Sequence, residues 1–198
     1  MYNQIVILAQ GGSHGDFLTQ CLKIADGEQT PIVTESGEVV SFSKFKSFKT
    51  PSIPKEKFWL SHIWHKVMST WPSKFFYIHI EPENIPITIE MYVAKVFNGD
   101  KDKFLNYWRK EYAPEISRHI TKENFYEVYS RLYTVAQERF KSNAEPIAMT
   151  DLYDYNKLVE FLQKQNVYNS KNASKLTAFY NDWYSKNTNY INKITNKY

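Results

Sequence analysis

Seven residues, Gln10-Gly11-Gly12-Ser13-His14-Gly15-Asp16, combine glycines, a hydroxyl and an imidazole. Glycines so clustered let backbone N–H groups turn inward, and a helix that starts there adds partial positive charge. Together these features bind phosphate or sulfate. The stretch lacks the Gly-Lys-Ser/Thr ending of an ordinary nucleotide-triphosphate loop. The plain alternative is a tight strand-to-helix turn that needs glycine for geometry alone. The same residues spell Gly11-x-Ser13-x-Gly15, the elbow pattern of serine hydrolases, with Ser13 as nucleophile. Chain order speaks against that reading. Only one strand precedes the motif, and His119 is the last histidine, leaving only acids upstream of it, such as Asp100 and Asp102, none on an obvious strand end.

His62 is the second candidate. It follows Leu60-Ser61 at the end of an expected strand, where a neutral imidazole can serve as general base toward a hydroxyl. Its bland reading is a partly buried histidine with a hydrogen-bond partner. His65, three residues on, makes a His-x-x-His pair, but no third ligand declares itself and no metal is expected. Thr88 is the third. In the first turns of a helix opening after Ile80 it can offer its hydroxyl to an anion, although threonine so placed is commonly plain surface.

The elements that position these residues follow from periodicity. Ile5 to Ala9 is a continuous apolar run, as in a parallel strand buried on both faces. Phe17, Leu18, Cys21, Leu22 and Ala25 then recur at helical spacing, and Gly27 makes a stop. Pro31 to Phe42 reads as a hairpin turning at Ser36-Gly37. Ser43 to Lys57, with two prolines and five lysines, reads as a loop. Further strands are expected at Phe58 to His62, Lys74 to Ile80 and Glu145 to Met149. Helices are expected from about Ile85 to Phe97, through Asp100 to Ser142, around Leu158 to Leu162, and along Leu176, Phe179, Tyr180 and Trp183. Thr150 or Asp151 is the expected cap of the helix containing Leu158. Strands alternating with helices predict an α/β three-layer fold with a mostly parallel sheet. Its ligands would sit beyond the carboxyl ends of the strands, just after Ala9, Leu60 and Ile80.

Composition bounds the rest. The 198 residues suit one domain, 1–198, with about 100–142 and 166–198 as helical additions that enlarge the C-terminal half. A net charge of +4 suits an anionic ligand and is too small to argue for nucleic acid. The lone Cys21 excludes an internal disulfide framework. No run approaches the ~18 apolar residues of a membrane span. Without a basic leader, the expectation is a soluble, cytoplasmic protein.

Taken together, the motifs resemble the P-loop sulfotransferase family, which transfers a sulfuryl group from 3′-phosphoadenosine 5′-phosphosulfate (PAPS) to a hydroxyl or amine. Gln10 to Asp16 occupies the place of that family's phosphosulfate loop. Leu60-Ser61-His62 looks like its Lys-Thr-His strand end, whose histidine is the general base. Ile80 to Thr88 is similar in spacing to its 3′-phosphate motif, Arg-x-Pro-x-Asp-x-x-x-Ser, with Pro82 in register. Met149-Thr150-Asp151-Leu152 looks like its Tyr-Glu-Asp-Leu strand end. The resemblance covers roughly residues 4–165. The loop lysine of the family falls on Gly or Ser, its arginine on Ile80, and the lysine before its histidine on Leu60. Losing a preorganised donor at a transferring group costs about 2.7–4 kcal/mol of transition-state stabilisation. A protonated His14, or Lys44, Lys46, Lys49 or Lys66, are the replacements the sequence offers.

The resemblance therefore implies a divergent sulfotransferase. Gly11, Gly12, Ser13, His14, Gly15 and Asp16 would hold the phosphosulfate, Asn84 and Thr88 would contact the 3′-phosphate, and His62, helped by His14, would act on a small-molecule acceptor. PAPS is the implied cofactor and adenosine 3′,5′-bisphosphate (PAP) its product. The alternative is an inactive protein of the same fold that binds an anion or a partner.

Overall fold

The computed structural model describes residues 4–28, 32–33, 39–40, 57–61, 69–111, 121 and 123–195. At its centre is a four-stranded sheet in the order β4-β1-β5-β6. Its strands are β1 (Gln4–Leu8), β4 (Phe58–Ser61), β5 (Ser73–His79) and β6 (Glu145–Ala148), and every pair runs parallel. β2 (Ile32–Val33) and β3 (Val39–Val40) form a separate antiparallel pair, as expected for a hairpin, whose turn lies outside the described residues. Six α-helices follow in chain order: α1 (Gly15–Asp26), α2 (Ile85–Phe97), α3 (Lys101–Glu111), α4 (Phe125–Lys141), α5 (Tyr155–Lys164) and α6 (Ala173–Thr195). The architecture is α/β, mostly helical, around an all-parallel sheet.

β1 is central because its sequence tolerates nothing else. Val6, Ile7, Leu8 and Ala9 are wholly buried, so each must find apolar cover on one face or the other. Ile5 and Ile7 join the larger core with α1, α2, α5 and α6, whereas Val6 and Leu8 pack with Trp59, Trp71, Tyr77 and Phe140. Each such side chain contributes about 1.5–3 kcal/mol by leaving water. The strand order reverses at β1, with β4 on one side and β5 on the other. In sheets of this kind such a reversal opens a crevice beyond the carboxyl ends.

Most element boundaries match the periodicity, and the differences have physical causes. Within the 100–142 stretch lie α3 and α4, and residues 112–120 and 122 fall outside the described residues. Thr150 and Asp151 lie inside a 3-10 turn, Met149–Tyr153, and the cap of α5 is Asp154, whose carboxylate accepts from the N–H groups of Asn156 and Lys157. α6 runs on to Thr195, since Asn187, Ile191 and Ile194 continue the buried stripe of Leu176, Phe179 and Tyr180. No helix among the described residues is long and apolar enough to cross a membrane.

The loop after β1 sets how the layers meet. Gly12 has φ +86°, and a Cβ there would lie 2.5 Å from the backbone oxygen of Thr88 on α2. A Cβ on Gly15 would lie 2.4 Å from that of Ala9. Helix and loop thus touch backbone to backbone. α4 is tied in separately, because the Gln137 amide donates to the Ile80 carbonyl and accepts from its N–H. Gly12→Ala is expected to cost about 2–4 kcal/mol, combining left-handed strain with a clash against immovable backbone. Urea unfolding checks this, and a loss within error would mean that α2 can move away from the loop.

Candidate functional site

The loop between β1 and α1 is a compact turn held by its own serine. The Ser13 N–H and hydroxyl both donate to the Gln10 carbonyl, at 3.1 and 2.6 Å. His14 takes left-handed backbone angles, φ 62° and ψ 24°, and caps α1 without a side-chain hydrogen bond to it. The first bond closing this end of the helix runs from the Leu18 N–H to the His14 carbonyl. The helix's own carbonyls provide no acceptor for its first-turn N–H groups, and the His14 side chain does not cap them. The dipole of α1 adds positive potential at the same point. Asp16 brings one carboxylate to this first turn, on the exposed side.

Two tyrosines and a threonine wall the loop on one side. An ideal Cβ on Gly11 would lie 2.8 Å from the Tyr92 ring. The Tyr133 hydroxyl of α4 donates to the Gly11 carbonyl. Burial and the neighbouring Tyr92 push the Tyr133 phenol well above its ordinary pKa, so it stays a donor. Thr88, Tyr92 and Lys95 stand at i, i+4 and i+7 of α2 and therefore share one face. Through that face Lys95 comes near the loop. Its ammonium donates to the Asn187 amide oxygen of α6. Desolvation lowers the Lys95 pKa, and the Asp16 charge opposes that drop.

Aromatic side chains form the other wall. The His14 ring meets Trp183 edge-on at 4.9 Å and 87°, and Tyr153 at 5.7 Å and 81°. Its Nε2 lies 3.3 Å from the Tyr153 hydroxyl. Trp183 in turn stacks on Phe17 at 3.7 Å and 13°. Burial, then the Lys95 charge, lowers the His14 pKa from 6.5 to about 3. The imidazole is neutral at physiological pH and offers a hydrogen bond, not a cation. That removes the protonated His14 that the sequence offered in place of the missing loop lysine. Burial and the Glu81 charge push the Tyr153 phenol up in the same way.

The structure brings Gly11, Gly12, Ser13, His14, Gly15 and Asp16 into one loop, with Thr88 against it and Asn84 one turn earlier. The Thr88 hydroxyl points inward. It donates to the Asn84 carbonyl at 2.9 Å, faces the Met149 sulfur at 3.8 Å, and is wholly buried. Ser13 is wholly buried too, and its proton goes to a carbonyl instead of a base, which does not favour the hydrolase reading. His62 lies outside the described residues, as do His65, Lys44, Lys46, Lys49 and Lys66. Lys95, Asn187, Tyr153, Tyr133 and Glu81 escaped the sequence reading. Of these, Lys95 had a signal in its seven-residue spacing from Thr88. Trp183 was visible only as one more ring in a core stripe.

The site as built can cradle an anion at the N-terminus of α1, beside one lysine and a neutral histidine. Among the described residues no group of three His, Cys, Asp or Glu side chains gathers to hold a metal. No family model, curated protein or solved structure matches the chain.

The neutral state of His14 has a pH consequence. The unfolded chain takes up this proton below pH 6.5, whereas the folded chain does so only near 3. Stability is therefore full above 6.5 and falls as pH drops toward 3, by up to about 1.4 kcal/mol per pH unit. His14→Gln should flatten the slope of melting temperature against pH in that window. Parallel slopes for variant and parent would show that His14 titrates normally.

Proposed function

We propose that the protein is a divergent member of the three-layer, P-loop sulfotransferase-like architecture, and that its loop at residues 10–16 holds the sulfuryl-phosphate end of a nucleotide donor. One observation carries the reading. The glycine loop and the start of α1 lie at the strand-order reversal beside β1, with Lys95 on α2 near enough for its charge to act on His14 and Asp16. Backbone N–H groups, a helix dipole and one partly desolvated cation are the elements that stabilise charge on a transferring group. Lys95 takes over the place in the charge balance that the family's loop lysine holds.

The chemistry that follows is in-line transfer of a sulfuryl group to a small hydroxyl or amine acceptor. His62 keeps the role that the resemblance implies, removing the acceptor proton as the new S–O or S–N bond forms. The S–O bond to the donor's 5′-phosphate breaks in the same step, so that the nucleotide leaves with the bridging oxygen on its phosphate. Asp16 works against anion binding through its own charge, and Lys95 offsets it. The inactive, anion-binding alternative draws support from the same cation count, since one lysine stands where the family uses several charges.

Titration with PAPS and with adenosine 5′-phosphosulfate, which share the 5′ end, tests the reading by thermal shift. A ligand at ~100 times its dissociation constant adds about 2.7 kcal/mol, equivalent to several degrees in a chain of this size. Lys95→Met should weaken the ligand that binds by about tenfold or more, as expected for a lost charge-assisted contact. His62→Ala should leave that affinity unchanged and abolish transfer. No shift with either nucleotide at millimolar concentration overturns the proposal.

A further inference from the structure

Beyond the end of β5, two buried side-chain oxygens have no hydrogen-bond partner: Oε2 of Glu81 and Oδ1 of Asn84. Asn84 is only 1% exposed. A buried acceptor left unpaired carries a desolvation penalty that a donor from a ligand can relieve. Both residues belong to the turn leading from β5 into α2, with Glu81 at the start of the 3-10 segment Pro82–Asn84. That turn adjoins the glycine loop. β5 pairs with β1, and Thr88, one helical turn beyond Asn84, has its carbonyl against Gly12. The Glu81 charge also reaches Tyr153, whose hydroxyl lies 3.3 Å from His14 Nε2.

The unpartnered atoms are both acceptors, and one belongs to a carboxylate. A phosphate offered to them would set charge against charge and lone pair against lone pair. A hydroxyl or amine supplies the protons they lack. The sulfotransferases that the chain resembles hold a 3′-phosphate at this turn with an arginine, and here that position is Ile80. Ile80 is wholly buried, and its backbone groups are both taken by Gln137.

Granted the anion site at the glycine loop, on which this step rests, we infer that the far end of the bound ligand presents hydroxyl or amine donors to Glu81 and Asn84. The ligand is then a 5′-phosphate or 5′-phosphosulfate ester of a nucleoside whose ribose hydroxyls are free. A second phosphate on the ribose is rejected.

Two probes that differ only in the group at issue are adenosine 5′-monophosphate and adenosine 3′,5′-bisphosphate. Calorimetric titration of the full chain should show the monophosphate binding about tenfold tighter or more, the scale set by leaving a buried acceptor unpaired. Glu81→Gln, whose amide can donate to a phosphate, should narrow that ratio while the circular dichroism spectrum stays native. Bisphosphate binding as tight as, or tighter than, monophosphate overturns the inference and leaves the anion site standing. Binding of neither overturns the anion site itself, and the inference with it. A preference for monophosphate that Glu81→Gln leaves unchanged overturns the assignment to Glu81. The comparison in the unaltered protein does not depend on any variant folding.

Discussion

The contact between the β1–α1 loop and the backbone of α2 governs the rest of the site. With the Thr88 carbonyl where a Cβ of Gly12 would stand, α2 cannot shift without opening the loop. Fixing α2 fixes Tyr92 over Gly11 and sets Lys95 one turn further along the same face. The Lys95–Asn187 bond, with the 3.0 Å Lys193–Glu90 pair, then ties α6 to α2. α6 carries Trp183, whose ring closes against His14 and Phe17. A steric constraint at one glycine thus propagates through two helices to an aromatic wall on the opposite side of the loop.

Electrostatics follows from that packing. A histidine walled by Trp183 and Tyr153 cannot hold a proton at neutral pH, because the charged form loses more hydration than its neighbours return. Lys95 pays a smaller penalty of the same kind, opposed by Asp16. Among the described residues the result is a site with one cation, one exposed carboxylate and several oriented N–H groups. Charges set in surroundings drier than bulk water interact more strongly than they would in it. A single lysine can therefore count for more here than the chain's net charge of +4 suggests.

How much of this was legible depended on whether the signal was local. β1, its glycine turn and the α1 stripe are contiguous, and the apolar run with its glycine stop marked all three. The β5–α2 junction was equally plain, because Pro82 and Pro86 fix where a helix can begin. The cap of α5 was misplaced, since Thr150, Asp151 and Asp154 all have capping side chains and only backbone geometry separates them. The walls of the site were not legible. Tyr133 and Trp183 fit core stripes at helical spacing, Tyr153 ends a 3-10 turn, and nothing local says which ring meets His14. Lys95 had a spacing signal on α2, but its role was not legible, because its partner lies 92 residues away.

The two ends of the crevice impose opposite demands, and this gives the site a direction. On the proposed reading, the α1 end offers N–H donors and a lysine, which suit a ligand that brings negative charge. At the β5 end the buried oxygens of Glu81 and Asn84 lack partners, which on the inferred reading suits a ligand that brings protons. A symmetric anion such as free sulfate satisfies the first demand only and leaves the second unmet. An ester of a polyhydroxylated or amino-bearing molecule satisfies both, provided that its two ends are held apart by a spacer reaching from β1 to β5. Those strands are neighbours, and adjacent strands lie about 4.8 Å apart. A ligand of the inferred kind would then need only a short spacer, on the scale of one sugar ring. A scaffold fixes where a site lies, and its side chains decide what the site accepts.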